Sequence, residues 1–228
     1  YKSVKNILKA IKLGNITNTG FIGTVADLIK VENTYEKAIE VGLGSNVQNI
    51  ITKSEEDAKR LIEYLKKNQL GRVTFLPANT IRGKALNLNI ERFVGYGILG
   101  LGHNLIDYPE EYRNIFEYLL GRTIIIDNID NGIKLSNKTG HIYRIVTLDG
   151  DIINPGGSMT GGSLNNNISI ISRRNKIKSI ENNILNLKSK INDLEIENQK
   201  LTNELMLKVE SINTIDEKIK NAELDLLN

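Results

Sequence analysis

Asn154-Pro155-Gly156-Gly157-Ser158-Met159-Thr160-Gly161-Gly162-Ser163 holds four glycines in ten residues, as two pairs either side of Ser158-Met159-Thr160. Glycine allows positive φ and lets another backbone come close with no Cβ between, so paired glycines mark close main-chain approach. Three readings fit the stretch. The first is an anion-binding nest of N–H groups at Gly156-Gly157, which has against it that no Lys or Arg lies between Arg144 and Arg173. The second is an exposed strand edge that pairs with the same surface of a second chain. The third is a tight internal turn between strand and helix. An apolar strand signal, Tyr143-Arg144-Ile145-Val146-Thr147-Leu148, comes before the stretch, and an amphipathic pattern runs from Ile177 to the end of the chain.

That pattern is long. Ile177, Ile180, Ile184, Leu187, Ile191, Leu194, Asn198, Leu201, Leu205, Lys208, Ile212, Ile215, Ile219, Ala222 and Leu226 alternate steps of 3 and 4, and 13 of these 15 positions are apolar. A sustained period of about 3.5 predicts a left-handed coiled coil, with Asn198 and Lys208 as polar residues on its seam.

Upstream of the glycine stretch the signals alternate between helix and strand. Val4, Ile7, Leu8 and Ile11 predict a short amphipathic helix over residues 2 to 13, too short to stand alone and stopped by Gly14. An apolar start at residues 21 to 29 is followed by a helix from Tyr35 to Leu43 and a buried strand over Val47 to Thr52. Ser54 with Glu55 to Asp57 opens a helix running to Lys67, and Arg72 to Pro77 reads as a strand. This order is α/β. A second unit echoes the first. Leu105 to Tyr112 aligns with Leu28 to Tyr35, and Tyr118 to Gly121 with Val41 to Gly44, both at an offset of 77. Ile124 to Asp127 and Ile145 to Leu148 answer Asn49 to Thr52 and Val73 to Leu76 at slightly shorter offsets. The repeat predicts two related subdomains.

The composition narrows the function classes. With 228 residues, 40% apolar, 5% aromatic and no Trp, a modest core is expected beside an elongated part. The chain starts at Tyr1 and ends inside a periodic pattern, and reads as a fragment of something longer. No Cys is present, which removes disulfides and thiolate metal sites and fits a reducing compartment. No apolar run approaches the roughly 18 residues of a membrane span. The net charge is +3 but unevenly placed: Lys2, Lys5, Lys9 and Lys12 stand without an acid over residues 1 to 13, as do Arg173, Arg174, Lys176 and Lys178 over 168 to 180. A polyanion site is expected near these junctions; the bland reading is a solvated coiled-coil face.

Catalytic motifs are weak. Gly95-Tyr96-Gly97-Ile98-Leu99-Gly100 has the G-x-G-x-x-G pattern of a dinucleotide site, but Leu101-Gly102-His103 continues the loop and Pro109 breaks the segment beyond it, so a linker is the expectation. Gly83-Lys84 lacks the rest of a P-loop, and His103 and His141 form no metal-ligand spacing. No G-x-S-x-G elbow occurs, and nothing argues for catalysis.

The chain resembles the hinge domain of bacterial structural maintenance of chromosomes (SMC) proteins, the condensin-type chromosome organisers. The resemblance covers essentially the whole chain. It is carried by Lys12-Leu13-Gly14, Tyr35 to Glu40, Leu43-Gly44, Tyr64-Leu65-Lys66, Gly71 to Pro77, Leu120 to Thr123, Tyr143 to Gly150 and Asn154 to Gly162, the last two blocks being very specific. It implies an α/β (α+β) hinge of two related subdomains that homodimerises into a ring with a small central opening. It also implies a long C-terminal α-helix forming an antiparallel coiled coil with the short N-terminal helix. The expected division is an N-terminal coiled-coil strand over 1–17, hinge subdomains over 18–90 and 91–168, and a C-terminal coiled-coil helix over 169–228. In such hinges the glycine motif lies at the dimer interface, which maps to Gly156, Gly157, Ser158, Met159, Gly161 and Gly162. Asn165-Asn166-Asn167 stands where family members often carry a lysine run that contacts DNA. The expected DNA contact therefore moves to Lys2, Lys5, Lys9 and Lys12 with Arg173, Arg174, Lys176 and Lys178. No cofactor is expected in this fragment. ATP, the kleisin and accessory subunits belong to absent head domains, and the place of work is cytoplasmic and nucleoid-associated. A coiled-coil scaffold without a DNA role is the alternative, and a nucleotide-dependent enzyme is a more distant one.

Overall fold

In the computed structural model, which describes residues 2–17, 19–87, 90–162 and 170–226, the chain divides into two units, Tyr1–Asn175 and Lys176–Asn228.

The first unit opens with α1 (Lys2–Lys12), whose apolar face buries Val4, Ile7 and Ala10. Val4 and Ile7 share a cluster with Ile50, Leu61 and Leu65, so the partner this short helix needs is the globular fold itself. A half-unit follows: β1 (Phe21–Thr24), α2 (Val25–Leu28), β2 (Lys30–Val31), α3 (Glu36–Leu43), β3 (Ile50–Thr52), α4 (Glu55–Lys67) and β4 (Phe75–Pro77). The strands order as β1-β3-β4, with β1 antiparallel and β4 parallel to β3. Ser54 caps α4 by accepting from the Asp57 amide at 3.2 Å, while the Asp57 carboxylate accepts from Ser54 N at 3.1 Å, a reciprocal box that fixes the helix start.

The second half-unit repeats this order: β5 (Ile98–Leu101), a 3-10 turn over Gly102–Leu105, β6 (Ile106–Asp107), α5 (Arg113–Leu120), β7 (Thr123–Ile126), α6 (Ile129–Lys138) and β8 (Arg144–Thr147). β5 is again antiparallel and β8 parallel to the middle strand. The bulges match as well, at Phe21/Gly23 and Ile98/Gly100. The halves meet where β2 pairs antiparallel with β6. Beneath that ribbon Ile39, Leu43 and Ile51 of the first half pack in one cluster with Phe116, Leu120 and Ile125 of the second, all at most 2% exposed. The second sheet goes on through β9 (Ile152–Ile153) and β10 (Met159–Thr160), giving the order β10-β9-β8-β7-β5.

The strand expected over Arg72 to Pro77 forms only from Phe75, and that expected from Val47 only from Ile50, because the residues before each lie in coil and in a 3-10 turn. The glycine loop at Gly95 to Gly100 leads into the strand β5. No helix N-terminus is offered there to a pyrophosphate, which removes the dinucleotide reading.

The long helix α7 (Ile170–Leu226) is continuous over 57 residues. In the second unit its seam residues, including Ile184, Leu187, Ile191, Leu194 and Leu201, are exposed. An apolar stripe that long is what a partner helix would cover. No helix among the described residues is long and apolar enough to cross a membrane.

Candidate functional site: the glycine hairpin and the basic helix ends

Thr147 to Asp151 turn β8 into β9, with Asp151 N donating to Thr147 Oγ1 at 3.0 Å and Gly150 N to Thr147 O at 2.9 Å. β9 then leads into the glycine stretch. Gly156 and Gly157 have φ of 85° and 89°, the left-handed region that only glycine enters freely, and this closes the β9-β10 hairpin. Gly156 N donates to His141 O at 2.8 Å, Gly157 N to Asn154 O at 2.9 Å, and Asn154 N to Ser158 O at 2.8 Å. Both glycine amides are thus committed within the chain, and the anion-nest reading fails on that ground. The turn lies between two strands rather than between strand and helix, and the stretch also forms a strand edge. The first glycine pair makes the turn, and Met159-Thr160 makes the terminal strand of the sheet.

On its inner side β10 pairs with β9, Met159 opposite Ile153 and Thr160 opposite Ile152. Its other side pairs with no strand among the described residues. Ser158, Met159, Thr160, Gly161 and Gly162 are all exposed, Met159 by 52%, an unusual place for a large apolar side chain on a strand. A Cβ at Gly161 would run into the Asp151 carboxylate, whereas one at Gly162 would meet open space. Asn165-Asn166-Asn167 lies outside the described residues.

Lys2, Lys5, Lys9 and Lys12 are exposed along α1, opposite its buried face. The root of α7 belongs to a different cluster. Ile171 is buried among residues of α2, β2 and α3, and Ile170 N donates to Glu40 Oε1 at 2.9 Å, so a side chain from another helix caps this helix start. Asn175 Nδ2 donates to Val31 O at 3.3 Å and to Glu36 Oε1. Arg174 forms an ion pair with Asp27, whose other oxygen accepts from Thr24 N at 2.7 Å. Arg174 is therefore part of the fastening of the root rather than an uncompensated charge, which the run of basic residues did not reveal. Arg173 is exposed. Lys176 is exposed in the second unit, and the side chain of Lys178 lies outside the described residues.

His103 is buried at 6% exposure with no hydrogen-bond partner for Nδ1, and it is held below the usual imidazole range by burial, which Arg113 reinforces and Glu117 opposes. Among the described residues no cluster of His, Cys, Asp and Glu could hold a metal ion.

The chain is similar to known proteins. Residues 18–136 match the family described as "SMC proteins Flexible Hinge Domain". The chain is 40% identical over 196 residues to the "Chromosome partition protein Smc" of Halothermothrix orenii, covering 85% of this chain and 16% of that protein. Its backbone matches a crystal structure of an asymmetric dimer of the Geobacillus stearothermophilus SMC hinge domain with a TM-score of 0.74 and 34% identity, over 86% of this chain and 78% of that one. A Pyrococcus furiosus Smc hinge domain with an extended coiled coil matches at a TM-score of 0.58 and 31% identity, over 89% and 72% of the two chains. The family model spans more than half of the sequence, and the chain, a mixed α/β hinge fold, belongs to the SMC flexible hinge family.

Proposed function

We propose that this chain is the homodimerisation hinge of a chromosome-partitioning SMC protein and that two copies join through the open edge of β10. The observation that carries the reading is that edge, a terminal strand of a five-stranded sheet whose outer side pairs with no strand among the described residues and which carries an exposed methionine. Unpaired edges invite strand addition unless blocked, and neither Met159 nor Thr160 carries a blocking charge. A ring needs two contacts per chain. The first sheet offers a second edge at β4, where no further strand covers Phe75–Pro77 among the described residues. Two β10-to-β4 contacts related by a two-fold axis would close such a ring, whereas β10 paired with its own copy gives only one contact.

Replacing the four glycines with Ala does not test this cleanly, because Gly156 and Gly157 are needed by the hairpin itself and Gly161 abuts Asp151. Met159→Lys places a charge on the edge and leaves the turn alone. Sedimentation equilibrium is expected to give twice the 25.5 kDa chain mass for the wild type and a single chain mass for the variant, with the far-UV circular dichroism unchanged. A variant that stays dimeric overturns the edge assignment.

Weak, sequence-independent DNA binding is the second part of the reading. Arg174 is neutralised by Asp27, so the exposed lysines of α1 carry most of the attraction. Every phosphate left without its cation lowers the salt dependence of duplex binding by about 0.9 in the log–log slope. Changing Lys2, Lys5, Lys9 and Lys12 to Ala should weaken retention and flatten that slope. Equal slopes would support a scaffold with no DNA role. The chain spans 16% of the relative from Halothermothrix orenii. By the same resemblance, ATP and kleisin partners belong to head domains outside this chain, in a cytoplasmic, nucleoid-associated protein.

A further inference from the structure

Behind the glycine hairpin, where β7 and β8 begin, a cleft of about 270 Å³ is lined by Leu86, Leu119, Arg122, Tyr143, Arg144 and Pro155 among others. Two arginines, Arg122 and Arg144, are among its lining residues, and no carboxylate is among the described ones. Arg144 is half-buried and donates through Nη1 to Gly42 O at 2.8 Å, in the last turn of α3. A helix-terminal carbonyl carries only a partial negative charge, so it offsets part of a full unit of positive charge. A guanidinium has five N–H donors in a planar fork that fits the oxygens of a phosphate two at a time. Burial pushes the Arg144 group below the usual guanidinium range. Arg122 is exposed and lines the same cleft. The remaining wall, made of Leu86, Leu119, Pro155 and the Tyr143 ring, lowers the local dielectric and strengthens any charge pair formed there.

We infer that this cleft is an oxyanion site, in which Arg144 and Arg122 together bind one phosphate group. The site is distinct in position and chemistry from the lysines of α1, which lie exposed on a helix surface and present point charges to a long polyanion. A cleft of this size takes a single phosphate with part of what it is attached to and is too small for a duplex. The phosphate arrives either on a free phosphorylated compound or as one link of a single strand.

Calorimetry of the full 228-residue chain with inorganic phosphate and with AMP, at low ionic strength, tests the site. One saturable site per chain is expected. Arg122→Gln, on an exposed side chain, and Arg144→Lys, which keeps a donor for Gly42 O, should each weaken phosphate binding at least about tenfold while the circular dichroism stays unchanged. Anisotropy of a labelled twenty-nucleotide oligo-dT separates the two sources. A parallel loss of oligo-dT binding in both variants assigns the phosphate to a single strand, and undiminished oligo-dT binding assigns it to a free phosphorylated compound. Absence of saturable phosphate binding by the wild type, or undiminished phosphate binding in either variant, overturns the proposal.

Discussion

The two half-units of the globular part share a strand order, bulge positions and a capped helix after the middle strand, yet they end differently. The first stops at β4, after Pro77, and the second carries its sheet outward through β9 and β10. The shared part is packing: each half buries the middle strand and the helix before it against the other half. The unshared part is a glycine hairpin that adds two strands and ends in an exposed edge. A duplicated scaffold thus keeps what both copies need for stability, and an interaction surface can be built on whichever copy gains a segment the other lacks. Even the common features are reached by different residues. The space beside Gly20 is filled by the Asp57 carboxylate from inside α4, and that beside Gly97 by the Asp127 carboxylate from just before α6.

The comparison breaks most severely if the halves are uncoupled. Phe116 is fully buried in the cluster drawn from both halves and stacks on Tyr108 at a centroid distance of 4.5 Å. Phe116→Ala should cost about 3–5 kcal/mol and lower one cooperative thermal transition. Two separate transitions by calorimetry would show the halves to be independent. Next in size is the hairpin. Gly156→Ala forces a left-handed alanine and should cost about 1–2 kcal/mol with no counterpart in the first half. Caps then sharpen the likeness. Ser54 and Asn128 accept from the third amide of α4 and α6 at 3.2 and 2.9 Å, so Ser54→Ala and Asn128→Ala should each cost about 1 kcal/mol in urea unfolding. A cost at one cap alone would deny them equivalent roles.

Much of this was legible in the sequence because it is local. Ser54 with Asp57, the heptads after Ile177 and the glycines of the hairpin each impose their geometry within a few residues. The element order of the duplication was legible too, since both halves keep apolar runs at the same spacing. What escaped depends on distant pairs. Nothing near Arg174 in the chain announces Asp27, and nothing near Ile170 announces the carboxylate of Glu40 that caps it. The amphipathic pattern over residues 2 to 13 states that a face is buried and not that Ile50, Leu61 and Leu65 bury it. The four glycines left a nest, an edge and a turn open, and the fold divides them between a turn and the flank of an edge strand.

The smallest effect separates the halves by pH. At the offset of 77 residues, His103 corresponds to Ala26, and both are buried, at 6% and 4% exposure. The alanine is indifferent to protons, while burial lowers the affinity of His103 for its proton, Arg113 lowers it further and Glu117 opposes them. A base whose folded pKa lies below its ordinary value of 6.5 binds protons more readily when unfolded. Its contribution is therefore fully present above pH 6.5 and is withdrawn as pH falls below that value towards the folded pKa. The slope of stability between pH 6.5 and 5 therefore carries the contribution of His103. His103→Ala makes the second half resemble the first at this position. Urea midpoints measured across that window should decline for the wild type and run flatter for the variant, whose stability at pH 8 is lowered by the smaller side chain. Parallel slopes for the two proteins would show that His103 takes up its proton equally in the folded and unfolded chain, with the Glu117 attraction balancing burial.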